Sequence, residues 1–250
     1  MTAAAWSPAT FGENLNRLIH SRLLAASTVE VARRDVVYGC MAGDRSIYLV
    51  DQGQVKAVAP SRDGKECLLG IYTVGDVFGE LCLAGGTRTE TMIAMTRAVM
   101  RRIPAAKVVA TLDDVGLREE FVRYLACRLS EQQQLITDLV TADSEYRLAA
   151  ILLHLARKLG KRDAHLLRIE ERITQEELSG MVGTTRSRIG FFLKRFRDAG
   201  LVARARDCFL VVNETRLDDF IARGYQAPAG YQAPAGYQAP ALPGRAAAAA

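Results

Sequence analysis

The stretch ITQEELSGMVGTTRSRIGFFLKRF, Ile173 to Phe196, constrains this chain more than any other, because it spells two short helices around one tight turn. Thr174 is placed to cap the first helix, and Glu176 and Glu177 follow in its opening turn, where the helix dipole favours acids. Leu178, Met181 and Val182 give that helix a buried stripe. Gly183 suits the turn, Thr184 or Thr185 can cap the second helix, and Ile189, Leu193 and Phe196 turn inward. Arg186, Ser187 and Arg188 are left at the exposed N-terminal tip.

Such a tip is what a helix needs to enter a DNA major groove. Arginine can donate two hydrogen bonds to one guanine, so Arg186 and Arg188, with Ser187 between them, are the expected base readers. The capping residues Thr174 and Thr185 are expected beside the phosphates. Lys194, Arg195 and Arg197 are expected to pair with phosphate or with nearby acids. LVARARDCFLVVN then reads as a two-stranded wing whose Arg204 and Arg206 reach the backbone. From Arg186 to Arg206 there are seven basic residues against Asp198 alone, whereas the whole chain carries a formal charge of only +5. A cluster this local points to a polyanion. An ordinary helical hairpin with a solvated basic face is the competing reading, and it leaves the agreement of caps, turn and core spacing unexplained.

From about Thr28 to Ile103 the pattern changes to short β-rich pieces between glycine-bearing turns, which reads as a small antiparallel roll or sandwich. Asp63-Gly64 within SRDGKE is a hairpin signal, because the turn needs positive φ. After Pro104 the apolar spacing becomes helical: Leu117, Phe121, Leu125, Leu129, Leu135, Ile136 and Leu139 predict one long helix. That stripe exceeds what a small roll can cover, so part of it is expected to pair with its twin in a homodimer. A further helix, Ser144 to Leu159, starts with Ser144 as its candidate cap and makes Asp143–Ser144 a hinge between two domains.

Within the β-rich part, FGELCLAGGTRTETMIAMT, Phe78 to Thr96, sets Glu80 and Arg88 on either side of a run of small residues. A glutamate can accept from a ribose hydroxyl, an arginine can pair with a phosphate, and backbone N–H groups near glycine can complete a cradle. By spacing alone, a surface ion pair is the default reading of the two residues.

Composition narrows the classes. The 250 residues, 49% hydrophobic, suffice for a buried core. No window approaches the roughly 20 apolar residues of a membrane helix, and the first residues lack a charged leader followed by an apolar block, so a cytoplasmic protein with no membrane partner is expected. The five cysteines are scattered, never in a CxxC pair, and the three histidines are isolated, so no metal site or disulfide framework is expected. Hydrolytic chemistry usually needs bound metal or a paired acid and base, and no such cluster is visible, which speaks against an enzyme. From Gly224 onward GYQAPA occurs three times in succession. This composition predicts a disordered tail, read as an inert extension in preference to a partner-binding segment.

The order of these parts, with GQVKAVAPSRDGKECLLGIYTVGDVFGELCL, RTETMIAMT and ITQEELSGMVGTTRSRIGFFLKRF as its distinctive pieces, resembles the CRP/FNR superfamily of transcription regulators. The likeness is greatest to its cyclic AMP receptor protein branch and runs from about Phe11 to Phe220. It implies an α+β chain: an N-terminal antiparallel β-roll, jelly-roll-like and cyclic-nucleotide-binding (11–110), a long dimerisation helix and hinge (111–142), a winged helix-turn-helix DNA-binding domain (143–222), and the low-complexity tail (223–250).

The resemblance also implies a ligand and partners. Glu80 would take the ribose 2′-hydroxyl, Arg88 the cyclic phosphate, and Gly79, Leu81 and Cys82 would line the cradle, with the Thr89 hydroxyl reaching the phosphate. Arg128 and, from the helix, Gln132 and Gln133 would complete the site on the purine side, where the branch presents a Thr-Ser pair across the dimer. The ligand implied is cyclic AMP (cAMP), with cyclic GMP (cGMP) also compatible with Thr89 and the glutamines. The partners implied are a second copy of the chain, double-stranded DNA at a palindromic promoter site, and RNA polymerase. The gap between Glu80 and Arg88 is shorter than the common pattern, and the Ala84-Gly85-Gly86 loop absorbs it. Arg186 matches a base-reading arginine, whereas Ser187 replaces a glutamate and Phe191 an arginine, so the TGTGA-type half-site is expected to be retained in part. A regulator of this type that needs no ligand, or answers another signal such as thiol oxidation, is the alternative.

Overall fold

A computed structural model describes residues 8–60, 66–206 and 208–224. Helix α1 (Pro8–His20) precedes eight strands: β1 (Ser27–Val31), β2 (Val36–Tyr38), β3 (Ser46–Gln52), β4 (Val55–Pro60), β5 (Glu66–Tyr72), β6 (Val77–Phe78), β7 (Thr91–Ala94) and β8 (Ala98–Pro104). They form two antiparallel four-stranded sheets in the orders β1-β8-β3-β6 and β2-β7-β4-β5. The predicted roll is thus present. Strands β4 and β5 pair from Val55–Tyr72 to Pro60–Glu66, as the hairpin reading requires, while the Asp63-Gly64 turn lies outside the described residues.

Strand β3 shows how sequence sorts the core. Successive side chains of a strand point to opposite faces. Ile47 and Leu49 therefore join Phe11, Leu15, Ile103 and Val108 beneath the helices, and Tyr48 and Val50 join Tyr38, Phe78 and Met100 inside the roll.

Helix α1 is an element that the sequence reading did not predict. Phe11, Leu15 and Leu18 are buried along one face, and Phe11 stacks on Tyr124 with ring centroids 4.8 Å apart. Gly12 makes this approach possible, since a Cβ there would lie 2.0 Å from the Gly75 carbonyl oxygen.

The long helix expected over 111–142 is present as Arg118–Thr141, preceded by a separate helix. Helix α2 (Ala105–Asp114) buries Val108 and Leu112 against the roll, and Gly116, at φ 71°, breaks the chain before α3 (Arg118–Thr141). The left-handed conformation at Gly116 ends α2 as a glycine C-terminus does. Residues 111–114 thus belong to α2, where Leu112 is buried against the roll. Helix α3 buries Phe121 and Tyr124, whereas Leu129, Ile136, Leu139 and Val140 are exposed.

Asp143, not Ser144, caps α4 (Ser144–Leu159). Its carboxylate accepts from the backbone N–H of Glu145 and Tyr146 at 2.8 and 2.9 Å. Strands β9 (Lys161–Asp163) and β10 (Leu166–Ile169), helices α5 (Gln175–Val182) and α6 (Arg186–Asp198), strands β11 (Val202–Ala203) and β12 (Leu210–Asn213), and α7 (Glu214–Gly224) complete the C-terminal part. Its sheet runs β11-β12-β10-β9. Of the expected tail, residues 223 and 224 end α7, and the GYQAPA repeats lie outside the described residues beyond Gly224.

The two parts are packed together. Val58, Leu68 and Ile71 of the roll share one apolar cluster with Leu148, Leu152 and Leu178. Lys158 on α4 pairs with Asp76 at 2.9 Å, and Cys67 on β5 donates to the Gly180 carbonyl at 3.7 Å.

Candidate functional site

Gly79 turns the chain from β6 into a 3-10 turn at Glu80–Ala84, at φ 87°, where a side chain would be strained. A Cβ would also sit 2.9 Å from the Ser46 carbonyl oxygen and 3.1 Å from Arg88 Nη1. That closeness follows from packing, because Arg88 is buried against this turn. Its Nη1 donates to the Gly79 carbonyl at 2.7 Å, and its Nη2 to Asp44 Oδ2 at 3.0 Å and to the Ser46 carbonyl at 2.5 Å. The guanidinium rests 4.1 Å from the centroid of Tyr38. Its Nε is buried without a hydrogen-bond partner.

Asp44 holds this arrangement from below. Burial alone would raise its carboxyl, but hydrogen bonds from Arg102, Arg88, Ser46 and Tyr48 outweigh burial and hold it at about 2.

Glu80 stands on the other side. Burial pushes its carboxyl up, and the nearby Arg128 of α3 opposes that rise. Arg128 Nε is 3.6 Å from Glu80 Oε1, an ion pair too long for a hydrogen bond, and this Nε is a second buried donor without a partner. Arg128 also donates to the Tyr72 hydroxyl at 2.8 Å and pairs with Glu131. Burial drives the Tyr72 hydroxyl up to about 12.

Gly79, Glu80, Arg88 and Arg128 are therefore assembled around one interior. Cys82 backs it: its side chain packs in the apolar cluster beneath α1 and α2, with Sγ 3.9 Å from the Ser46 carbonyl that Arg88 binds. Leu81 is exposed. The Thr89 hydroxyl donates to Glu90 at 2.7 Å. Gln132 and Gln133 are exposed on α3, about one turn beyond Arg128.

Tyr38, Asp44, Tyr72 and Glu90 escaped the sequence reading. Glu90 carried a signal, since it lies only two residues after Arg88 in the same short segment ahead of β7. Asp44 and Tyr38 did not, because chain distance hides their contact with Arg88.

The helix-turn-helix is built as its letters imply. Thr174 and Glu177 form a reciprocal capping box on α5, with hydrogen bonds of 3.1 Å from Glu177 N and 2.7 Å from Thr174 N. Gly183 ends α5 in the left-handed region, and Thr185 caps α6 by accepting from Arg188 N at 3.4 Å. Ile189, Leu193 and Phe196 are buried, together with Phe192, which the sequence reading passed over. Arg186, Ser187, Arg188 and Lys194 are exposed, while Arg195 pairs with Glu145 at 3.0 Å. Strands β11 and β12 form the wing. Between wing and helices lies a groove of about 860 Å³, lined by Thr174, Arg186, Arg204, Arg206 and Cys208 among others. It is an arginine-rich concavity beside an exposed helix tip, suited to a polyanion.

Comparison with known proteins matches two domain families along the chain. The cyclic nucleotide-binding domain family matches residues 28–114, and the Crp-like helix-turn-helix domain family matches residues 146–220. The CRP-like cAMP-activated global transcriptional regulator of Mycobacterium tuberculosis (strain ATCC 25618 / H37Rv) is 34% identical over 179 residues, covering 70% of this chain and 79% of that protein. The fumarate and nitrate reduction regulatory protein of Escherichia coli (strain K12) is 26% identical over 169 residues, or 65% of this chain and 66% of the other. Among solved structures, FixK2 from Bradyrhizobium japonicum superposes with a TM-score of 0.67 at 20% identity, over 78% of this chain and 97% of that one, which supports the fold. The roll, the long helix and the winged helix-turn-helix, matched in this order, place the chain in the CRP/FNR family of DNA-binding transcription regulators.

Proposed function

We propose that the chain works as a homodimer that binds a palindromic promoter site when a cyclic nucleotide, cAMP in preference to cGMP, occupies the roll. The observation that carries the ligand is the pair of buried, unpartnered Nε donors of Arg88 and Arg128 beside the buried carboxyl of Glu80. Buried donors lacking partners are rare, and a ligand's phosphate and ribose supply the acceptors they lack. The cAMP-activated relative in Mycobacterium tuberculosis supports the same choice.

The dimer rests on α3. Val122, Leu129 and Ile136 recur every seven residues and are 58%, 61% and 61% exposed, and Leu125, Gln132 and Leu139 repeat beside them. A seven-residue apolar repeat is the seam of a paired helix. Pairing would carry Gln132 and Gln133 toward the partner's ligand. Two recognition helices would then face half-sites about one DNA turn apart, where Arg186 and Arg188 read bases and Arg204 and Arg206 hold phosphates. Among the described residues no helix is long and apolar enough to cross a membrane, and a regulator of this kind acts in the cytoplasm, where it meets RNA polymerase.

One observation favours a second reading, a regulator answering another signal: both Nη atoms of Arg88 are already engaged by Asp44 and two carbonyls. Titration calorimetry with cAMP and cGMP separates the two. Micromolar binding of cAMP supports the first reading, and no heat from either nucleotide removes it.

A further inference from the structure

Glu90 lies two residues after Arg88 in the segment that leads into β7, and the two are 5% and 3% exposed. Each of its carboxylate oxygens is held by a hydroxyl: Tyr38 donates to Oε1 at 2.8 Å and Thr89 to Oε2 at 2.7 Å. Tyr38 is the ring on which the Arg88 guanidinium rests. Glu90 also lies within electrostatic reach of Glu80 and Tyr72. It therefore stands inside the same interior as the other site residues.

The charges there are already matched. Asp44 pairs with Arg88, and Glu80 and Glu131 pair with Arg128. The hydrogen-bond partners of Glu90 are the Tyr38 and Thr89 hydroxyls, not cations. A cyclic phosphate entering this space meets a second buried carboxylate, and the Thr89 hydroxyl it would use is already donated. Resting on the reading of the roll as a cyclic-nucleotide site, we propose that Glu90 is an internal anion that sets its affinity. The phosphate must displace Glu90 from Thr89, and the native site binds cyclic nucleotides more weakly than Glu80, Arg88 and Arg128 alone would allow. Ligands of lower negative charge suffer less from it, so Glu90 also determines specificity.

The test is calorimetric titration of cAMP into the full chain and into Glu90→Gln and Glu90→Ala, with thermal melting of each ligand-free protein. Glu90→Gln keeps the size and one acceptor oxygen while removing the charge, and Glu90→Ala frees Thr89 entirely. Both variants are expected to bind cAMP at least tenfold more tightly, about 1.4 kcal/mol, with a melting temperature no higher than that of the native chain. A merely structural residue would lower affinity and melting temperature together. If the native chain binds cAMP and a folded Glu90→Gln binds no more tightly, the role of Glu90 falls while the nucleotide site stands; should Glu90→Gln fail to fold, Glu90→Ala decides on the same terms. Binding by the variants alone supports the role of Glu90 and overturns cAMP as the native ligand. Binding by none overturns both.

Discussion

Lys56 Nζ on β4 lies 2.6 Å from Glu177 Oε1 on α5, so the β-roll holds the first helix of the DNA-binding unit by a residue that also completes that helix's capping box. The two roles of Glu177 differ in size. Removing Lys56 loses a partly exposed ion pair, whereas removing Glu177 loses the pair and a cap. Lys56→Met should cost less than about 1 kcal/mol in urea unfolding, and Glu177→Ala about 1–2 kcal/mol. Equal costs would show that the cap adds nothing here.

Arg88 offers a cleaner probe of the cradle than deletion does. Arg88→Ala would remove one of the four donors to Asp44 and leave the Gly79 and Ser46 carbonyls without that partner, and breaking a buried pair typically costs about 3–5 kcal/mol. Arg88→Lys keeps the charge and one partner but loses the fork that spans Gly79 and Asp44. It should fold with a melting temperature within a few degrees of the native one and bind cAMP at least tenfold more weakly. Unchanged affinity would mean that Arg88 serves the fold alone.

Gly79→Ala tests the turn beneath that arginine. With φ at 87° and the Ser46 oxygen 2.9 Å from the new Cβ, the substitution should cost about 1–3 kcal/mol by displacing a backbone that only glycine tolerates. Calorimetry should show cAMP affinity falling with it, since the Gly79 carbonyl anchors Arg88.

The pH dependence of stability follows from Asp44. Its folded value, about 2, lies below its ordinary 3.8, so its contribution is present above about pH 4 and is lost as pH falls toward 2. The native chain should therefore exceed Asp44→Asn in urea midpoint at about pH 6, and the difference should shrink between about pH 4 and pH 2. A constant difference would show that the charge of Asp44 is irrelevant to its role.

The α3 seam gives a test of assembly. Ile136→Glu places a charge in the seven-residue repeat without touching the roll core, and sedimentation should find a monomer where the native chain is a dimer. A dimer that survives would place the interface elsewhere.

What was legible in the sequence was local. Thr174, Glu177, Gly183 and Thr185 act within a few residues of themselves, so the helix-turn-helix could be read residue by residue. The strands of the roll were legible for the same reason. Contacts across long chain distances were not: Arg88 meets Asp44 and Tyr38, and α1 is held by packing of Phe11 on Tyr124. The break at Gly116 was missed because the apolar stripe begins only at Leu117 and leaves the segment before it unassigned, although the glycine was there to be seen. Asp143 out-competed Ser144 as a cap because its carboxylate reaches two backbone donors at once.

The central claim, that nucleotide in the roll governs DNA binding by the helix tip, is tested most directly by fluorescence anisotropy of a labelled palindromic promoter fragment titrated with the protein, with and without saturating cAMP. The account predicts at least tenfold tighter DNA binding with cAMP, and loss of that gain in Arg88→Lys. Equal affinity with and without cAMP, in a protein that binds the fragment, would contradict it.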